Sequence, residues 1–417
     1  PADRSRLLRR FAGLVEEHGE ELAALETANV GKPLAESRDD VAMVAEVLYF
    51  YAGAVDKHRG DTVPVSGGVA MTFHEPLGVV AAIVPWNFPL AIASWKVGPA
   101  LATGNTVIVK PAEVTPLSAL RLAELAVEAG IPDGVLQVVV GRGREVGARL
   151  VEHPGVAKVA FTGSTDVGRQ VMAAASGTVK RVTLELGGKS AAVVFADADL
   201  EAAAAAAPAG GMANAGQDCC ARSRILVEHT VFEPFLALLV DAVAGWTVGD
   251  PTAASTRMGP LVTAQHRATV AAYLEPGMGD PGGGPVSPAF SGRVPSGPGY
   301  WFPPTVVAPA RPEWRLAREE IFGPVLAVLP FADEADAVAL ANATPYGLSG
   351  SIWTGDGGRA LRMARAVESG NLSVNSNSSV RVQTAFGGMK QSGIGRELGL
   401  EALESYTEVK TVFFSDH

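Results

Sequence analysis

One stretch decides the fold class: Val79-Val-Ala-Ala-Ile-Val84, a short apolar run that Pro85 ends and that is typical of a buried strand. A helical pattern follows over 93–101, and a second strand-like run follows over 105–110. The alternation continues with predicted helices at 118–129, 146–152 and 167–175 and predicted strands at 135–140, 156–161 and 181–186. Strands that alternate with helices imply right-handed crossovers, so the sequence predicts a parallel, doubly wound α/β sheet.

The flanking segments extend this prediction. Residues 3–53 are predicted to form two helices, and 57–76 are typical of a hairpin because Gly and Pro separate short apolar runs. A second region of strands and helices begins at 191, and the Gly- and Pro-rich segment 276–299 is predicted to be a surface loop. Residues 408–414 alternate like a strand that needs a pairing partner elsewhere, for which another subunit is one candidate.

Composition excludes several classes of protein. The chain has 417 residues with 47% hydrophobic and 19% charged residues, which predicts two or three globular domains. A net charge of −10 disfavours nucleic acid as a partner, and no apolar run reaches the length of a membrane span. No targeting segment is recognisable, so we expect a cytoplasmic protein. The seven histidines are scattered, and we expect no metal site.

Both cysteines lie side by side in the stretch Asn214-Ala-Gly-Gln-Asp-Cys219-Cys220-Ala-Arg222-Ser-Arg224. A bond between adjacent cysteines would close a strained ring, so a structural disulfide is not expected. A pair of buried small hydrophobes is one interpretation of this stretch, and a nucleophile between a Gly-containing turn and a strand is the other. The local sequence does not decide between them.

Polar groups follow two of the predicted strands. Asn87 lies between prolines directly after the first strand, where it is either part of a rigid turn or a preorganised donor for an oxyanion. Lys110 and Glu113 follow the next strand, where they form either a salt-bridged edge or a pair that binds the hydroxyls of a ribose.

Two further strand–helix junctions are rich in Gly. The segment from Gly141 through Gly143 to Gly147 nearly matches a dinucleotide fingerprint but has one residue too many, so a tight turn is the favoured interpretation. Ser164 and Thr165 can cap the helix that they precede, and its free amides can face a phosphate.

Glu185 lies between two leucines at the end of a predicted strand. A carboxylate in such surroundings is either paired or desolvated with a raised pKa, and the second state suits a general base. We therefore expect a base for hydrolysis at this carboxylate rather than at a histidine.

Together these residues resemble the aldehyde dehydrogenase superfamily over nearly the whole chain. Seven motifs occur in the order of that family: Trp-Asn-Phe-Pro, Lys-Pro-Ala-Glu, Phe-Thr-Gly-Ser, Glu-Leu-Gly-Gly-Lys, Gly-Gln-x-Cys, Glu-Ile-Phe-Gly-Pro and Phe-Gly-Gly. The stretch before Cys219 is most similar to the aminobutyraldehyde and betaine-aldehyde branch. The chain differs in beginning inside the first helices of the family and in a shorter segment at 276–299, and neither difference removes a motif.

The resemblance implies an α/β fold with a Rossmann-like cofactor-binding domain, an α/β catalytic domain and a β oligomerisation element. We expect the first over 1–56 and 77–187, the second over 188–391 and the third over 57–76 and 392–417. A homodimer or homotetramer is expected.

The resemblance also implies NAD-dependent oxidation of an aldehyde to a carboxylic acid. Cys219 is the implied nucleophile, Asn87 the oxyanion donor and Glu185 the base for thioester hydrolysis, while the role of Cys220 stays open. Glu113 favours NAD over NADP, because a carboxylate repels a 2′-phosphate. The residues that the resemblance places at the cofactor are Pro85, Trp86, Lys110, Glu113, Gly143, Gly147, Phe161, Thr162, Gly163, Ser164, Leu186, Gly187, Glu320 and Phe322.

The expected substrate is an ω-aminoaldehyde such as 4-aminobutanal. Asp218 directly precedes the nucleophile, where an anion is useful if it meets a cationic substrate, and Phe88, Trp95 and Phe386 lie in motifs that line the substrate tunnel of the family. In the alternative, Asp218 pairs with a neighbouring arginine. Other functions left open are oxidation of betaine aldehyde or of aliphatic and aromatic aldehydes, a thioester hydrolase, and a structural protein that retains the fold.

Overall fold

The computed structural model describes residues 1–275 and 286–416. Its α-helices are α1 (Ala2–Glu17), α2 (Gly19–Val30), α3 (Leu34–Ala54), α4 (Pro89–Thr103), α5 (Leu117–Glu128), α6 (Ala148–Glu152), α7 (Thr165–Ala175), α8 (Leu200–Met212), α9 (Phe232–Ala244), α10 (Ala264–Ala272), α11 (Arg315–Arg318), α12 (Glu334–Asn342) and α13 (Gly357–Ala366). Among the residues described, none of these helices is both long and apolar enough to cross a membrane.

The β-strands, in chain order, are β1 (Thr62–Val65), β2 (Gly68–Pro76), β3 (Val79–Ile83), β4 (Thr106–Lys110), β5 (Leu136–Val138), β6 (Lys158–Thr162), β7 (Arg181–Glu185), β8 (Ala191–Val194), β9 (Arg224–Glu228), β10 (Phe290–Ser291), β11 (Thr305–Val307), β12 (Val325–Phe331), β13 (Tyr346–Gly347), β14 (Ser349–Trp353), β15 (Asn371–Val374), β16 (Met389–Lys390), β17 (Gly393–Ile394) and β18 (Thr407–Ser415). They form two large sheets and two small ones.

The first large sheet has the order β17-β7-β6-β3-β4-β5. Strand β3 pairs in parallel with β4 on one side and with β6 on the other. The chain therefore winds outward from β3 through β4 and β5 and then returns to the opposite side of β3. Such a reversal opens a crevice at the carboxyl ends of the two central strands, and ligands of doubly wound sheets bind there.

The second large sheet has the order β10-β11-β12-β9-β8-β14-β15. Its strands are parallel except at the β10 edge, and the buried faces of β9, β12 and β14 form its core with helices α8 and α9. The prediction of a doubly wound α/β architecture is confirmed, and it applies to both sheets. The predicted boundary at 187–188 falls in the connection from β7 to β8.

A three-stranded antiparallel sheet joins the hairpin β1-β2 to the C-terminal strand β18. The pairing of β18 with β2 runs from Thr407 opposite Pro76 to Ser415 opposite Gly68. The strand thus pairs in its own chain, rather than in another subunit, with the hairpin that the expected element over 57–76 and 392–417 groups with it. Residues 393 and 394 form β17 in the first large sheet, so the element predicted over 392–417 begins inside that sheet.

The N-terminal helices differ from the prediction in one respect. Residues 3–53 form three helices rather than the predicted two, because α1 ends and α2 begins at His18. Helix α2 ends at Gly31, whose φ of 89° is a left-handed conformation that glycine adopts without strain. The loop predicted over 276–299 lies outside the described residues up to 285, and its remainder includes the short strand β10.

Candidate active site

Two consecutive glycines bring the two large sheets together at the candidate site. A Cβ atom added at Gly188 would lie 2.2 Å from the main-chain oxygen of Cys219, and one added at Gly187 would lie 2.3 Å from Oε2 of Glu320. A side chain at Gly188 would therefore displace the backbone that carries the cysteine. Because these glycines lie two and three residues after Glu185, the carboxylate, the thiol and Glu320 share one neighbourhood.

The loop that carries Cys219 has a strained backbone. Asn214 and Ala215, which follow α8, have φ angles of 48° and 56°. A non-glycine residue in this left-handed region costs on the order of 1–3 kcal/mol and persists only where its surroundings hold it. Gly216 continues the turn at a φ of 70°, where a Cβ atom would lie 2.3 Å from the main-chain oxygen of Gly323.

Asn87 is tied directly to this loop. Its Nδ2 donates to the main-chain oxygen of Gln217 at 2.9 Å, while Nδ2 of Asn214 donates to the main-chain oxygen of Asn87 at 3.0 Å. Nε2 of Gln217 donates in turn to the main-chain oxygen of Asn214 at 2.9 Å. This reciprocal network fixes a buried amide beside the cysteine, as an oxyanion donor requires.

The Cys219 thiol lies among groups that disfavour its thiolate. A hydrogen bond shared with Cys220, then burial, then the nearby charges of Asp218 and Glu320 raise the pKa of the Cys219 thiol well above its ordinary value. In the absence of ligand the thiol is therefore mostly protonated at neutral pH. The interpretation of both cysteines as buried filler fits Cys220, which is buried, better than Cys219, which is half-buried.

Asp218 turns its carboxylate toward the nucleophile loop. Its Oδ1 accepts a hydrogen bond from the main-chain N–H of Cys220 at 2.9 Å, and burial raises the pKa of its carboxyl group. Arg222 instead donates to the main-chain oxygen of Cys220 and to Ser379, and Arg224 donates to main-chain oxygens. Within the described residues Asp218 forms no salt bridge with either arginine, although the charge of Arg222 acts on its carboxylate, so the alternative of a direct pair is not supported.

Glu185 is a desolvated carboxylate. Both of its oxygens are buried and have no hydrogen-bond partner among the described residues. Burial, followed by the charges of Glu397 and Cys220, raises the pKa of Glu185 well above its ordinary value. Of the two states that the sequence left open for this carboxylate, the structure shows the desolvated one. Gly387 makes room for this carboxylate, because a Cβ atom there would lie 2.7 Å from Oε1 of Glu185.

The two adjacent glutamates of the Glu-Ile-Phe-Gly-Pro motif point to different partners. Glu320 is half-buried, and its Oε1 accepts from the main-chain N–H of Gly188 at 2.8 Å. Burial raises the pKa of Glu320 to about 7. Glu319 pairs with Arg315 and accepts from the hydroxyl of Tyr273 at 3.0 Å. Only Glu320 therefore faces the cysteine.

Lys110 is the last residue of β4 and Glu113 follows three residues later, at the edge of the crevice. Oε1 of Glu113 accepts from the main-chain N–H of Gly143 at 2.7 Å, in a turn of π-helix over Gly143–Gly147. The two side chains form no ion pair in the described part of the chain, and burial lowers the pKa of Lys110. The interpretation as a salt-bridged edge is therefore not supported.

The remaining predicted cofactor residues lie at the neighbouring strand ends. Ser164 caps α7, because its side chain accepts from the main-chain N–H of Val167 at 3.4 Å. Gly163 lies under the ring of Phe161, whose Cζ would be 2.6 Å from an added Cβ. Thr162 accepts from Nζ of Lys96 at 2.8 Å, so its hydroxyl belongs to a buried network rather than to the crevice.

His266 is a residue that the sequence did not indicate. Its ring contacts Trp86 and Phe322, with a centroid distance of 5.4 Å to the first and 6.1 Å to the second. Its Nε2 lies 2.7 Å from the main-chain oxygen of Phe322, which has a φ of 58°. The imidazole thereby joins the motif after β3 to the Glu-Ile-Phe-Gly-Pro motif. Scattered histidines give no local signal for such a contact.

The predicted substrate residues lie in one apolar cluster with the cysteines. Trp95 and Phe386 are buried and contact each other edge to face at a centroid distance of 5.1 Å. Phe88 and Cys219 are half-buried against the same cluster. Nζ of Lys32 lies 4.4 Å from the centroid of the Phe88 ring.

Three potential metal ligands meet at the nucleophile. Side-chain ligand atoms of Asp218, Cys219 and Cys220 lie within 4.8 Å of one another, the one such group among the described residues. The same contacts already account for the raised pKa of the thiol.

Comparison with known proteins provides independent evidence on the family of this chain. The model of the aldehyde dehydrogenase family matches residues 1–412. The chain is 46% identical over 419 residues to the NADP/NAD-dependent aldehyde dehydrogenase PuuC of Escherichia coli, an alignment that covers 100% of this chain and 83% of PuuC. It is 45% identical over 414 residues to a betaine aldehyde dehydrogenase of Cereibacter sphaeroides, with coverage of 99% and 85%.

Solved structures agree with these relatives. A betaine aldehyde dehydrogenase from Staphylococcus aureus in complex with NAD+ superimposes with a TM-score of 0.96 at 39% identity, covering 99% of this chain and 83% of that one. An aldehyde dehydrogenase from Bacillus cereus in an NAD+ complex gives a TM-score of 0.96 at 42% identity, with coverage of 100% and 84%.

Proposed function

The chain belongs to the aldehyde dehydrogenase family and is an NAD-dependent oxidoreductase, and from that premise we propose that it oxidises ω-aminoaldehydes such as 4-aminobutanal to carboxylic acids. The observation that carries the proposal is the carboxylate of Asp218, which is half-buried beside Cys219 and forms no salt bridge within the described residues. A desolvated carboxylate is costly to ionise alone, and a substrate ammonium would stabilise its charged form. Binding of a cationic aldehyde and ionisation of Asp218 therefore favour each other.

A second candidate substrate is betaine aldehyde. It is supported by relatives that bear its name, and its trimethylammonium group is also a cation. The half-buried ring of Phe88 beside Cys219 suits either cation, because aromatic faces attract ammonium groups. The two substrates differ in whether the cation can donate a hydrogen bond, which only the primary ammonium does.

The crevice at the carboxyl ends of β3, β4 and β6 fits a dinucleotide. Glu113 and Lys110 would hold the adenosine ribose, the capped N-terminus of α7 at Ser164 the pyrophosphate, and Glu320 the ribose of the nicotinamide. The chemistry of this donor set is suitable, with one carboxylate for each ribose and helix amides for the phosphates. When NAD+ is bound, it accepts the hydride that the aldehyde carbon loses.

The residues of the chain account for the other steps. Cys219, as thiolate, attacks the carbonyl carbon, and the amide of Asn87 and the main-chain N–H of Cys219 stabilise the oxyanion. Loss of hydride leaves the acyl group on Cys219 as a thioester. Glu185 then takes a proton from water, whose oxygen attacks the thioester, and the acid departs while the thiolate is regenerated.

The sheet of β1, β2 and β18 would contribute to a subunit interface. It exposes Phe73, Val409, Phe413 and Phe414, and a sheet with apolar residues and unpaired edges invites association. Sedimentation velocity on the wild type and on Phe413→Glu should show a homodimer or homotetramer that the substitution weakens. A monomeric wild type would contradict this part of the proposal.

Formation of NADH with a set of aldehydes tests the substrate. We expect kcat/KM for 4-aminobutanal to exceed that for butanal by about tenfold to a hundredfold. This factor corresponds to the usual contribution of one partly buried charge pair to the free energy of binding. Equal values would overturn the proposal. A larger value for betaine aldehyde than for 4-aminobutanal would favour the second candidate.

A further inference from the structure

Glu36 lies on α3, yet its carboxylate contacts the loop of the nucleophile. Oε2 of Glu36 accepts a hydrogen bond from the main-chain N–H of Asn214 at 2.9 Å, across 178 residues of sequence. The side chain is half-buried, and the neighbouring Lys32 and Asp40 of the same region pair with each other. A carboxyl oxygen of this reach can accept from a main-chain N–H whether the group is charged or neutral.

The bond falls where the loop needs support. Asn214 is the first of the two non-glycine residues in left-handed conformation, and Ala215 is the second. Such a conformation persists only where surrounding contacts hold it. Glu36 fixes the main chain at the start of this strained turn, while the contacts of Asn214 and Gln217 fix its side chains.

The position of Asn214 sets that of the catalytic amide. Its Nδ2 donates to the main-chain oxygen of Asn87, and its main-chain oxygen accepts from Nε2 of Gln217. Gln217 in turn accepts from the Asn87 amide. A shift of the turn at Asn214 would therefore move the oxyanion donor and the start of the Cys219 segment together.

We infer that Glu36 is a positioning residue for the reaction, which holds the strained turn at Asn214 and through it aligns Asn87 with Cys219. This inference rests on the proposed roles of those two residues. It concerns a contact between the N-terminal helices and the nucleophile loop, which the proposed chemistry does not otherwise use. The required property of Glu36 is the reach of its carboxyl oxygen rather than its charge.

A rival role for Glu36 would use its charge. Lys32, Asp40 and Asp218 are the charged groups that act on it, and burial raises the pKa of Glu36 to about 7. A carboxylate near Asp218 could instead attract the cation of an aminoaldehyde. The two roles require different features of the side chain, so conservative substitutions can separate them.

The test compares Glu36→Gln with Glu36→Asp. Glutamine keeps an oxygen at the same reach without the charge, whereas aspartate keeps the charge on a shorter side chain. If Glu36 positions the loop, Glu36→Gln should retain kcat within about threefold, and Glu36→Asp should lose about tenfold to a hundredfold in kcat. The loss should be equal for butanal and 4-aminobutanal, with the KM for NAD+ unchanged.

The matched control is Glu228, whose Oε2 accepts from the main-chain N–H of Ala196 at 2.9 Å away from the site. Glu228→Asp should leave kcat unchanged. The thermal unfolding midpoints of all variants should be similar, which shows that each variant is folded. If Glu36→Asp keeps full kcat, or if Glu36→Gln loses only 4-aminobutanal activity, the inference is wrong. Because butanal serves as substrate, the result is independent of any preference for amines.

The roles on which the inference rests are tested separately. Substitution of Cys219 or Asn87 by alanine shows whether these residues act in the reaction. If activity survives both substitutions, the proposed chemistry fails. If it is lost with them but not with Glu36→Asp, only the positioning role fails.

Discussion

The side-chain amide of Asn87 donates a 2.9 Å hydrogen bond to the main-chain oxygen of Gln217, in the segment that leads to Cys219. Asn87 follows β3 of the first large sheet, whereas Gln217 belongs to the loop before β9 of the second. This bond thus connects the two sheets at the point where the reaction is proposed to occur. An amide has two N–H groups, and the bond occupies one of them.

Asn87→Ala should reduce kcat by about 10²–10³-fold, the usual loss when one oxyanion donor is removed. KM for NAD+ should change little, because the donor acts on the substrate oxygen. Steady-state formation of NADH measures both constants. Asn342→Ala is the control, since Nδ2 of Asn342 makes an equivalent 2.9 Å bond to the main-chain oxygen of Ala366. An equal loss in both variants would assign the effect to folding.

Cys219→Ala should abolish dehydrogenase activity, by roughly 10⁴-fold or more, while NAD+ still binds. Cys220→Ala should retain activity. The Cys220 thiol contacts Cys219, but it is buried, so it is less accessible to substrate than the half-buried thiol of Cys219. Its removal should also lower the pKa of Cys219, since the contact with Cys220 is the largest cause that raises it. The pH dependence of alkylation by iodoacetamide reports that pKa. Substantial turnover by Cys219→Ala would contradict the assignment.

Glu185→Gln should stall the reaction after hydride transfer. Loss of a general base costs about 10²–10⁴-fold in the step that it serves, so we expect a burst of NADH followed by a slow steady state. In the wild type the carboxylate is neutral below its raised pKa and becomes a base only above it. Thioester hydrolysis should therefore rise with pH through that pKa, and the rise should be absent in the variant. A flat wild-type profile would argue against the role.

NAD should be preferred over NADP by about tenfold or more, because the carboxylate of Glu113 would repel a 2′-phosphate. Glu113→Gln keeps an acceptor for the N–H of Gly143, which bonds Oε1 at 2.7 Å, but removes the charge. The ratio of kcat/KM for NAD to kcat/KM for NADP should therefore be smaller in Glu113→Gln than in the wild type. The values of kcat/KM for the two cofactors decide the matter, and an unchanged ratio would place the source of selectivity elsewhere.

The sequence sufficed for the parts of the fold that are encoded locally. Short apolar runs ended by Gly or Pro marked β3, β4, β6 and β7, and helical periodicity marked the helices between them. Strand β12 was not predicted, because Pro330 interrupts an apolar run that otherwise resembles a central strand. The resemblance to the family grouped β18 with the hairpin that it pairs with, whereas the residues of the strand itself left the partner open, since an isolated strand carries no local record of its pairing.

The same distinction applies to the site. Motifs predicted Cys219, Glu185 and Asn87, which the structure places around the loop that carries Cys219. His266 and Glu36 contact main-chain groups that are distant in sequence. Every residue has the same main-chain atoms, so the identity of the contacted residue gives no sequence signal for such a hydrogen bond. Such contacts become visible only when the chain is folded.

Asp218→Asn tests the substrate proposal at the residue that carries it. The carboxylate accepts from the main-chain N–H of Cys220 at 2.9 Å, and asparagine can retain this bond through its carbonyl oxygen while losing the charge. We expect the advantage of 4-aminobutanal over butanal to fall by about tenfold to a hundredfold, which corresponds to roughly 1–3 kcal/mol for one partly buried charge pair. Activity with butanal should rise or stay constant, because removal of a nearby anion lowers the pKa of the Cys219 thiol and favours its thiolate. The measurement is the ratio of kcat/KM for 4-aminobutanal to kcat/KM for butanal. If this ratio is the same in Asp218→Asn as in the wild type, the cation is recognised elsewhere.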